Sequence, residues 1–381
     1  MKIIVSTHDS LSPIRGGGAL RTLKCAEEFK KLGHDVTLIA PTDGIGEVSG
    51  IPVHWLHAPR KQRSQILSSL KFNVRLLRKF MQMADTTDMF FVHNTVAAAT
   101  IPFLRLFYKF RFVLDVTDVH AEYLAAARRN PLERLLTPLI LAIEYWIIGS
   151  ADHVIVVTRA MKDLLVKNAI NADKIIVIYD AAEIEKIETG KDAGSENAVI
   201  HLGSVDRQHG VELFISAIPL VAAARPEARF YIVGGGRELP NVIKLAEKLG
   251  VSGLCVFTGT LPCDEARRYM RKAAIGVIPR QDELPNRIVT TLKIYEYWAA
   301  ETAVVASRLE GIAEIAEDGR DILFFRAGSA TDLAEKIVKL LGDRGLTESL
   351  ARQGAVTVTK HTWSNTVPKI ADFALSPGTD K

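Results

Sequence analysis

The 381-residue chain has little cysteine, no long apolar run and almost no excess of charge of either sign. Its three cysteines, Cys25, Cys255 and Cys263, form no CxxC pair and no disulfide framework, which excludes a stapled mini-domain and favours a reducing compartment. The most apolar stretch, Leu135 to Ile148, is broken by Pro138 and Glu144. It falls short of the roughly 20 residues that a helix needs to span a bilayer, so membrane contact, where it occurs, is expected to be peripheral. Met1-Lys2-Ile3-Ile4-Val5 turns polar at Ser6 and lacks the apolar segment of a secretory signal, which points to the cytoplasm. Lys+Arg 48 against Asp+Glu 44 leaves +4, too mild a surplus to argue for nucleic acid as a partner. The surplus is uneven, however: residues 1–180 carry 23 basic and 17 acidic side chains (net +6), whereas 181–381 carry 25 and 27 (net −2).

At 48% hydrophobic residues the chain is long enough for two domains. Short β-rich runs alternate with helical patterns in both halves, the mark of parallel sheets covered by helices. In the first half the expected strands are Lys2–Val5, Val36–Ile39, Pro52–Leu56, Met89–His93, Phe112–Val116, Val154–Val157 and Ile175–Ile178. A helix starting near Ala19 presents Leu20, Leu23, Phe29 and Leu32 and closes at Gly33. Residues 181–197, poor in large apolar side chains, read as a linker between domains at 1–180 and 198–361. The second domain is expected to hold strands Ala198–Leu202, Arg229–Val233, Cys255–Thr258, Ile275–Pro279, Ala303–Ala306 and Ile322–Phe325. Its helices are expected near 211–224, 238–249, 263–273, 291–300, 311–317 and 330–341. In such sheets ligands sit beyond the carboxyl ends of the strands, so the loops after strands are where chemistry is sought.

Gly16-Gly17-Gly18 lies between a strand and a helix, where bare backbone can approach a phosphate; the bland alternative is a glycine loop with no ligand. Gly234-Gly235-Gly236 follows a second strand, but Leu239 stands where a dinucleotide fingerprint needs glycine, which argues against NAD. His93 ends one strand, and Asp115, Asp118, His120 and Glu122 crowd the end of another, suiting acid–base work or hydroxyl recognition. The bland alternative for Asp118 is a helix cap, and no spacing in this set has the specificity of a metal site. Lys293 and Glu296 share a helix face, either as an exposed ion pair or as a diphosphate and sugar-hydroxyl contact on a helix capped by Thr290 or Thr291. From Arg60 to Lys79 seven basic residues and no acidic one interleave with Ile66, Leu67, Leu70, Val74, Leu77 and Phe80. This is a basic amphipathic helix, either a solvated face or a surface for anionic lipid carried by Lys71, Arg75, Arg78 and Lys79; Arg105, Lys109 and Arg111 among apolar residues strengthen the lipid reading.

Together these segments resemble glycosyltransferase family 4 over nearly the whole chain. The likeness is carried by Gly16-Gly17-Gly18-Ala19 and Gly33–Ala40, by Val199–Gly203 with Gly210-Val211-Glu212, by Phe230–Gly236, and by Val256-Phe257-Thr258-Gly259. The most specific block is Lys293-Ile294-Tyr295-Glu296-Tyr297-Trp298-Ala299-Ala300, continued by Val304–Ser307 and Gly311–Gly319. The resemblance implies an α/β fold of GT-B architecture, two Rossmann-like doubly wound domains facing across a cleft, with a helix at 362–375 around Trp363 packing back on the first domain. It implies a retaining enzyme that takes a nucleotide sugar, a UDP-sugar favoured, to a lipid-linked or glycan acceptor, with no cofactor and no metal, on the inner face of the plasma membrane. Implied donor contacts are Gly17, Gly18, Gly203, Arg207, Gly235, Thr260, Thr291, Lys293 and Glu296; implied catalytic residues are Asp118, His120, His93 and Glu296. Ile288 stands where the family's paired-glutamate motif has its first glutamate, which leaves the sugar contact to Asp282, Glu283 or backbone. Ser204 and His209 replace the usual diphosphate-binding arginine and lysine, so Arg207 and Lys293 are the substitutes; Glu301 stands where glycine is usual. An epimerase of the same fold is one alternative; a sugar-nucleotide-binding subunit without turnover, motivated by Ile288, Ser204 and His209, is another.

Overall fold

The computed structural model describes every residue except 13, 15, 43, 45, 57–64, 127–130, 185–189, 193 and 378–381; for 65–70, 131–134 and 263 it describes the backbone alone. The chain divides into two units, Met1–Tyr179 with Ser364–Lys381, and Asp180–Trp363. Residues 181–197, expected as a linker, are therefore counted with the second unit, Ala182 bridging to Thr362.

The first unit holds strands β1 (Lys2–Thr7), β2 (Asp35–Pro41), β3 (Glu47–Val48), β4 (Ile51–Leu56), β5 (Met89–His93), β6 (Arg111–Val116), β7 (His153–Val156) and β8 (Ile175–Val177). Their order is β3-β4-β2-β1-β5-β6-β7-β8, parallel throughout except for the short antiparallel β3–β4 pair. Helices α1 (Gly17–Lys31), α2 (Gln65–Met83), α3 (Thr95–Ala98), α4 (Ile101–Leu104), α5 (His120–Ala126), α6 (Pro131–Gly149) and α7 (Arg159–Lys167) connect them. At the end of α1 the Gly33 N–H donates to Lys30 O and His34 N–H to Phe29 O, which stops the helix and aims the chain into β2. Leu23 and Phe29 are buried beneath the sheet; Leu32, expected on the same face, is exposed because it lies at the capped end.

The second unit begins with α8 (Val211–Ala224), α9 (Leu239–Lys248), α10 (Cys263–Arg268), α11 (Leu284–Arg287), α12 (Leu292–Ala299), α13 (Glu310–Ala313), α14 (Ala330–Gly342) and α15 (Arg344–Val358) as its helices; α16 (Trp363–Leu375) leads back to the first unit, where Phe373 stacks on His153 at 4.6 Å. Its strands β9 (Ala198–Leu202), β10 (Arg229–Val233), β11 (Cys255–Gly259), β12 (Ile275–Ile278), β13 (Ala303–Ser307) and β14 (Leu323–Phe325) run parallel in the order β11-β10-β9-β12-β13-β14. Phe214, Phe230, Ile275 and Val305 are fully buried in its core. Both sheets reverse direction of growth beside their first strand, between β1 and β5 and between β9 and β12. Those switch points open a crevice at the carboxyl ends of the strands, so the loops that follow these four strands are the natural ligand positions.

Candidate active site

The first unit gathers a chain of polar contacts at its switch point. Arg21, on the buried side of α1, forms a two-pronged ion pair with Asp115 of β6: Nε to Oδ2 is 2.8 Å and Nη2 to Oδ1 is 2.9 Å, with both side chains essentially unexposed. His93 Nδ1 lies 2.9 Å from Asp115 Oδ2. Burial alone would raise the Asp115 carboxyl, but the Arg21 guanidinium and the His93 hydrogen bond hold it well below the usual carboxylate range. His93 Nε2 points on toward Asp9 Oδ2 at 3.8 Å, and Asp9 in turn approaches His8 at 3.7 Å. A Cβ on Gly18 would overlap Asp9 Oδ2 and His93 Nε2, so the glycine lets α1 reach these two groups. His8 packs edge-on to His120, ring centroids 5.3 Å apart, and its imidazole is pushed down to about 4, by burial first.

Asn94 follows His93 with φ +62, and its Oδ1 accepts hydrogen bonds from the Thr117 N–H at 3.0 Å and the Asp118 N–H at 3.4 Å. It ties the β5 and β6 loops together. The helix cap that was the alternative for Asp118 comes from elsewhere: the His120 and Ala121 N–H groups that open α5 donate to the buried carboxylate of Glu144 at 3.0 and 2.6 Å. Asp118 instead accepts from the Tyr123 hydroxyl at 3.0 Å. The structure thus brings Gly18, His93, Asp118 and His120 to the carboxyl ends of the central strands β1, β5 and β6, with His8, Asp9, Arg21, Asn94 and Glu144 added to them. Among the described residues no group of three or more His, Cys, Asp and Glu side chains is arranged to hold a metal ion.

The second unit is built differently. In α12 the residues Ile294, Tyr295, Tyr297 and Trp298 are buried. The Leu202 N–H donates to the Tyr297 hydroxyl at 2.8 Å and Trp298 Nε1 donates to Asp321 O at 2.8 Å, which fixes the helix against β9 and α15's neighbourhood. The opposite face carries Lys293 and Glu296, Nζ to Oε2 3.3 Å. Arg267 approaches the other Glu296 oxygen at 3.8 Å and Glu183 at 3.9 Å. Lys293 lies directly over Gly203, whose φ is +138 and where a Cβ would stand 2.8 Å from Lys293 Cε. Thr291 occupies the cap position of α12 without a side-chain cap bond, and Thr290 Oγ1 donates instead toward Asp180 at 3.5 Å, so neither threonine caps the helix as expected. Gly235 abuts the Thr260 hydroxyl, which places both at the ends of β10 and β11.

Of the two expected phosphate ligands, Lys293 stands on α12, 33% exposed, whereas Arg207 lies on the short turn after β9, 53% exposed, 3.5 Å from Glu283. Asp282 is engaged by Arg287, and Ile288 is buried. Arg280, buried at the end of β12, was not anticipated from sequence; its Nη1 donates to Thr290 O at 3.2 Å. Beside it the imidazoles of His201 and His209 are pushed down to about 4 and about 3, by burial first; for His209 the Arg280, His201 and Lys293 charges add to it. Glu301 has φ +50, a backbone conformation that accounts for glycine being usual there.

Residues 15–186 match the family model described as Glycosyltransferase Family 4, and residues 196–343 the model described as Glycosyl transferases group 1. The lipopolysaccharide core biosynthesis glycosyltransferase LpsE of Rhizobium meliloti is 30% identical over 178 residues, 47% of this chain and 48% of LpsE. A GDP-mannose-dependent alpha-(1-6)-phosphatidylinositol monomannoside mannosyltransferase of Mycobacterium tuberculosis is 27% identical over 183 residues, 47% of this chain and 48% of that protein. The chain spans about half the length of the curated relatives it matches. Among solved structures, Anabaena Alr3699/HepE in complex with UDP-glucose has a TM-score of 0.76 at 18% identity over 98% of both chains, a likeness of fold.

Proposed function

Because the chain belongs to the family 4 and group 1 glycosyltransferases and has the two parallel-sheet α/β units of the GT-B fold, we propose that it transfers a sugar, with retention, from a nucleotide diphosphate sugar to a lipid-linked or glycan acceptor. A UDP-sugar is the preferred donor, a reading supported by the UDP-glucose bound to HepE. The observation that carries the proposal is Lys293 lying over Gly203 at the first turn of α12, with Glu296 beside it. Departure of a nucleoside diphosphate builds negative charge, and an ammonium group plus the N–H groups of a helix N-terminus lower its energy without metal or cofactor. Glu296, held by Lys293 and Arg267, accepts hydrogen bonds from ribose or sugar hydroxyls. In the first unit Asp118, His120 and His93 position the acceptor, with the Asp115 carboxylate fixing the His93 ring. The work is done at the inner face of the plasma membrane, a reading supported by the likeness to a lipopolysaccharide core biosynthesis glycosyltransferase and to a phosphatidylinositol monomannoside mannosyltransferase.

The test is a thermal-shift screen of UDP, GDP, ADP and their sugar conjugates on wild type, Lys293→Ala and Glu296→Ala. A ligand bound only by the native state raises stability by mass action. Stabilisation by UDP and UDP-sugars, lost in both variants, is the expected result; no shift with any nucleotide overturns the donor assignment. A binding subunit without turnover, favoured by the buried Ile288, would keep the shift but release no UDP in the presence of acceptor, and an epimerase would release it without acceptor.

A further inference from the structure

Arg280 is a buried cation without a counter-charge. It follows β12 beside the switch point of the second sheet and is 7% exposed. Among the described residues its side chain makes one hydrogen bond, from Nη1 to Thr290 O at 3.2 Å; Nε is buried with no acceptor, and no carboxylate pairs with the guanidinium. The two acidic residues that follow it in the chain are engaged elsewhere, Asp282 by Arg287 and Glu283 by Arg207. In the first unit, by contrast, the buried Arg21 is completed by the Asp115 carboxylate. A buried charge is costly unless an opposite charge and hydrogen bonds complete it, so an arginine left in this state is a place for an anion to arrive.

The backbone around this arginine is held in place before any ligand binds. Asn286, fully buried in α11, donates from Nδ2 to Gln208 O and to Gln281 O, 3.0 Å each, which stitches the turn after β9 to the loop after β12. Gly210 packs its bare Cα against Pro279 O, where a Cβ would overlap. His209 and Arg280 lie between these two ties and are brought together; after burial, the Arg280 charge is the next cause that pushes the His209 imidazole down, to about 3. His209 is therefore neutral near pH 7 and offers a ring N–H beside the guanidinium rather than a second charge. The bond to Thr290 O anchors the guanidinium on the loop that leads into α12, two residues past buried Ile288 and three before Lys293. Lys293 over Gly203 already answers the diphosphate in the proposed donor site, so a second, separate cation calls for a second negative group on the same donor, and the sugar is the part left to carry it. A neutral hexose brings only hydroxyls, which leave the guanidinium charge uncompensated. A hexuronate brings a planar carboxylate that matches the arginine fork with two parallel hydrogen bonds, and with Asp282 and Glu283 engaged no unpaired carboxylate of this loop repels it. We propose that Arg280, with His209 beside it, selects an acidic donor sugar, a nucleotide-linked hexuronate. The proposal rests on the donor site proposed above and names the substrate class of that same site.

The experiment is calorimetric titration of the full chain with UDP, UDP-glucose and UDP-glucuronate, beside thermal shifts by glucose 1-phosphate and glucuronate 1-phosphate. Wild type is compared with Arg280→Met and Arg280→Lys. Wild type is expected to bind UDP-glucuronate about tenfold or more tightly than UDP-glucose, the gain of a charge-assisted bond to a buried arginine. Arg280→Met replaces an unpaired buried charge by an apolar chain and is expected to fold and to abolish that preference. Arg280→Lys keeps the charge without the fork, should retain part of the preference, and carries the test alone if Arg280→Met does not fold. Equal affinity of wild type for the two UDP-sugars overturns the proposal, and so does a preference that survives in Arg280→Met or is undiminished in Arg280→Lys. Equal weakening of UDP, UDP-glucose and UDP-glucuronate in Arg280→Met also overturns it, because the arginine would then serve the diphosphate or merely hold the Thr290 loop. If no UDP ligand binds, the nucleotide reading fails by itself. A shift by glucuronate 1-phosphate that exceeds the shift by glucose 1-phosphate and is lost in Arg280→Met then still supports the acid site, and its absence overturns it.

Discussion

At the carboxyl ends of its strands the first unit buries a charge pair and lines up imidazoles and carboxylates around it, Arg21 to Asp115 to His93 to Asp9. The second unit instead clears glycine backbone beneath an ammonium group and leaves its Lys293–Glu296 and Arg207–Glu283 pairs partly in water. The same parallel-sheet plan therefore carries two kinds of polar arrangement. Buried charges must be paired and fully hydrogen-bonded, so the first unit's groups are fixed before a ligand arrives, as suits hydroxyl positioning. A partly solvated lysine over side-chain-free backbone is less completely paired, and it is the arrangement on which the proposed diphosphate site rests.

The largest break in this contrast is Asp115→Asn. It leaves the Arg21 guanidinium buried without a counter-charge and is expected to cost about 3–5 kcal/mol in urea unfolding, against about 0–1 kcal/mol for removing the Lys293–Glu296 pair. The double replacement Arg21→Met with Asp115→Leu should recover most of the loss. A cost under about 1 kcal/mol for the single change would mean that the pair does not hold the unit. The pH dependence has a definite sign. Asp115 has a folded pKa depressed below its unfolded value, so its stabilisation is present above about pH 4 and is lost as the pH falls through that value toward the folded one. Asp115→Asn should flatten that part of the acid-unfolding curve.

Gly203→Ala comes next. A Cβ there meets Lys293 and needs a φ of +138 that alanine resists, so stability should fall by roughly 1–3 kcal/mol. The UDP-induced thermal shift should disappear at the same time. An unchanged shift would show that Lys293 can move aside without loss, and the second unit would not depend on bare backbone in the way the contrast requires.

A smaller effect sharpens the comparison through pH. His201 is buried under the second sheet's switch point, with Nδ1 3.3 Å from Val277 O, and burial lowers its pKa to about 4. The unfolded chain binds that proton near pH 6.5, so stability is full above this value and declines as the pH falls toward 4. The slope attributable to His201 is at most about 1.4 kcal/mol per pH unit. His201→Gln should reduce the slope of urea midpoints between those limits, and an identical slope in the variant would assign the decline to His8 and His209.

How much of this could be read from sequence followed from how local each feature is. Buried parallel strands are continuous apolar runs, so nearly every strand lies within a residue or two of its expected place, and α8 spans the expected 211–224. The shared face of Lys293 and Glu296 also needed only helical spacing. Arg21 was illegible because an arginine in an amphipathic helix reads as solvent-facing, and its partner is 94 residues away. Glu144 reads as a break in an apolar run, yet it caps α5 from 23 and 24 residues away. The outward face of α6 was hidden for the same reason: a helix apolar nearly all round gives no sign of which side meets the protein. Helix α15 drew no expectation because its apolar residues are too sparse to set a period.

The smallest expected effect separates two cations that sequence treats alike. Arg207 and Lys293 both follow from the loss of the family's usual phosphate ligands at Ser204 and His209. Arg207 is about half exposed on a three-residue turn and already meets Glu283, so recruiting it to a phosphate costs side-chain entropy and an existing contact. Lys293 is half-buried on a helix pinned by Tyr297 and Trp298 and already lies over Gly203. Arg207→Ala should therefore change stability by less than about 0.5 kcal/mol and weaken UDP binding only a few-fold by calorimetry, roughly 1 kcal/mol. Lys293→Ala, at a similarly small stability cost, should weaken it tenfold or more, at least about 1.4 kcal/mol. If the order is reversed, the turn at Arg207 closes onto the diphosphate, and the second unit owes its anion site to a moving loop rather than to a fixed helix over bare backbone.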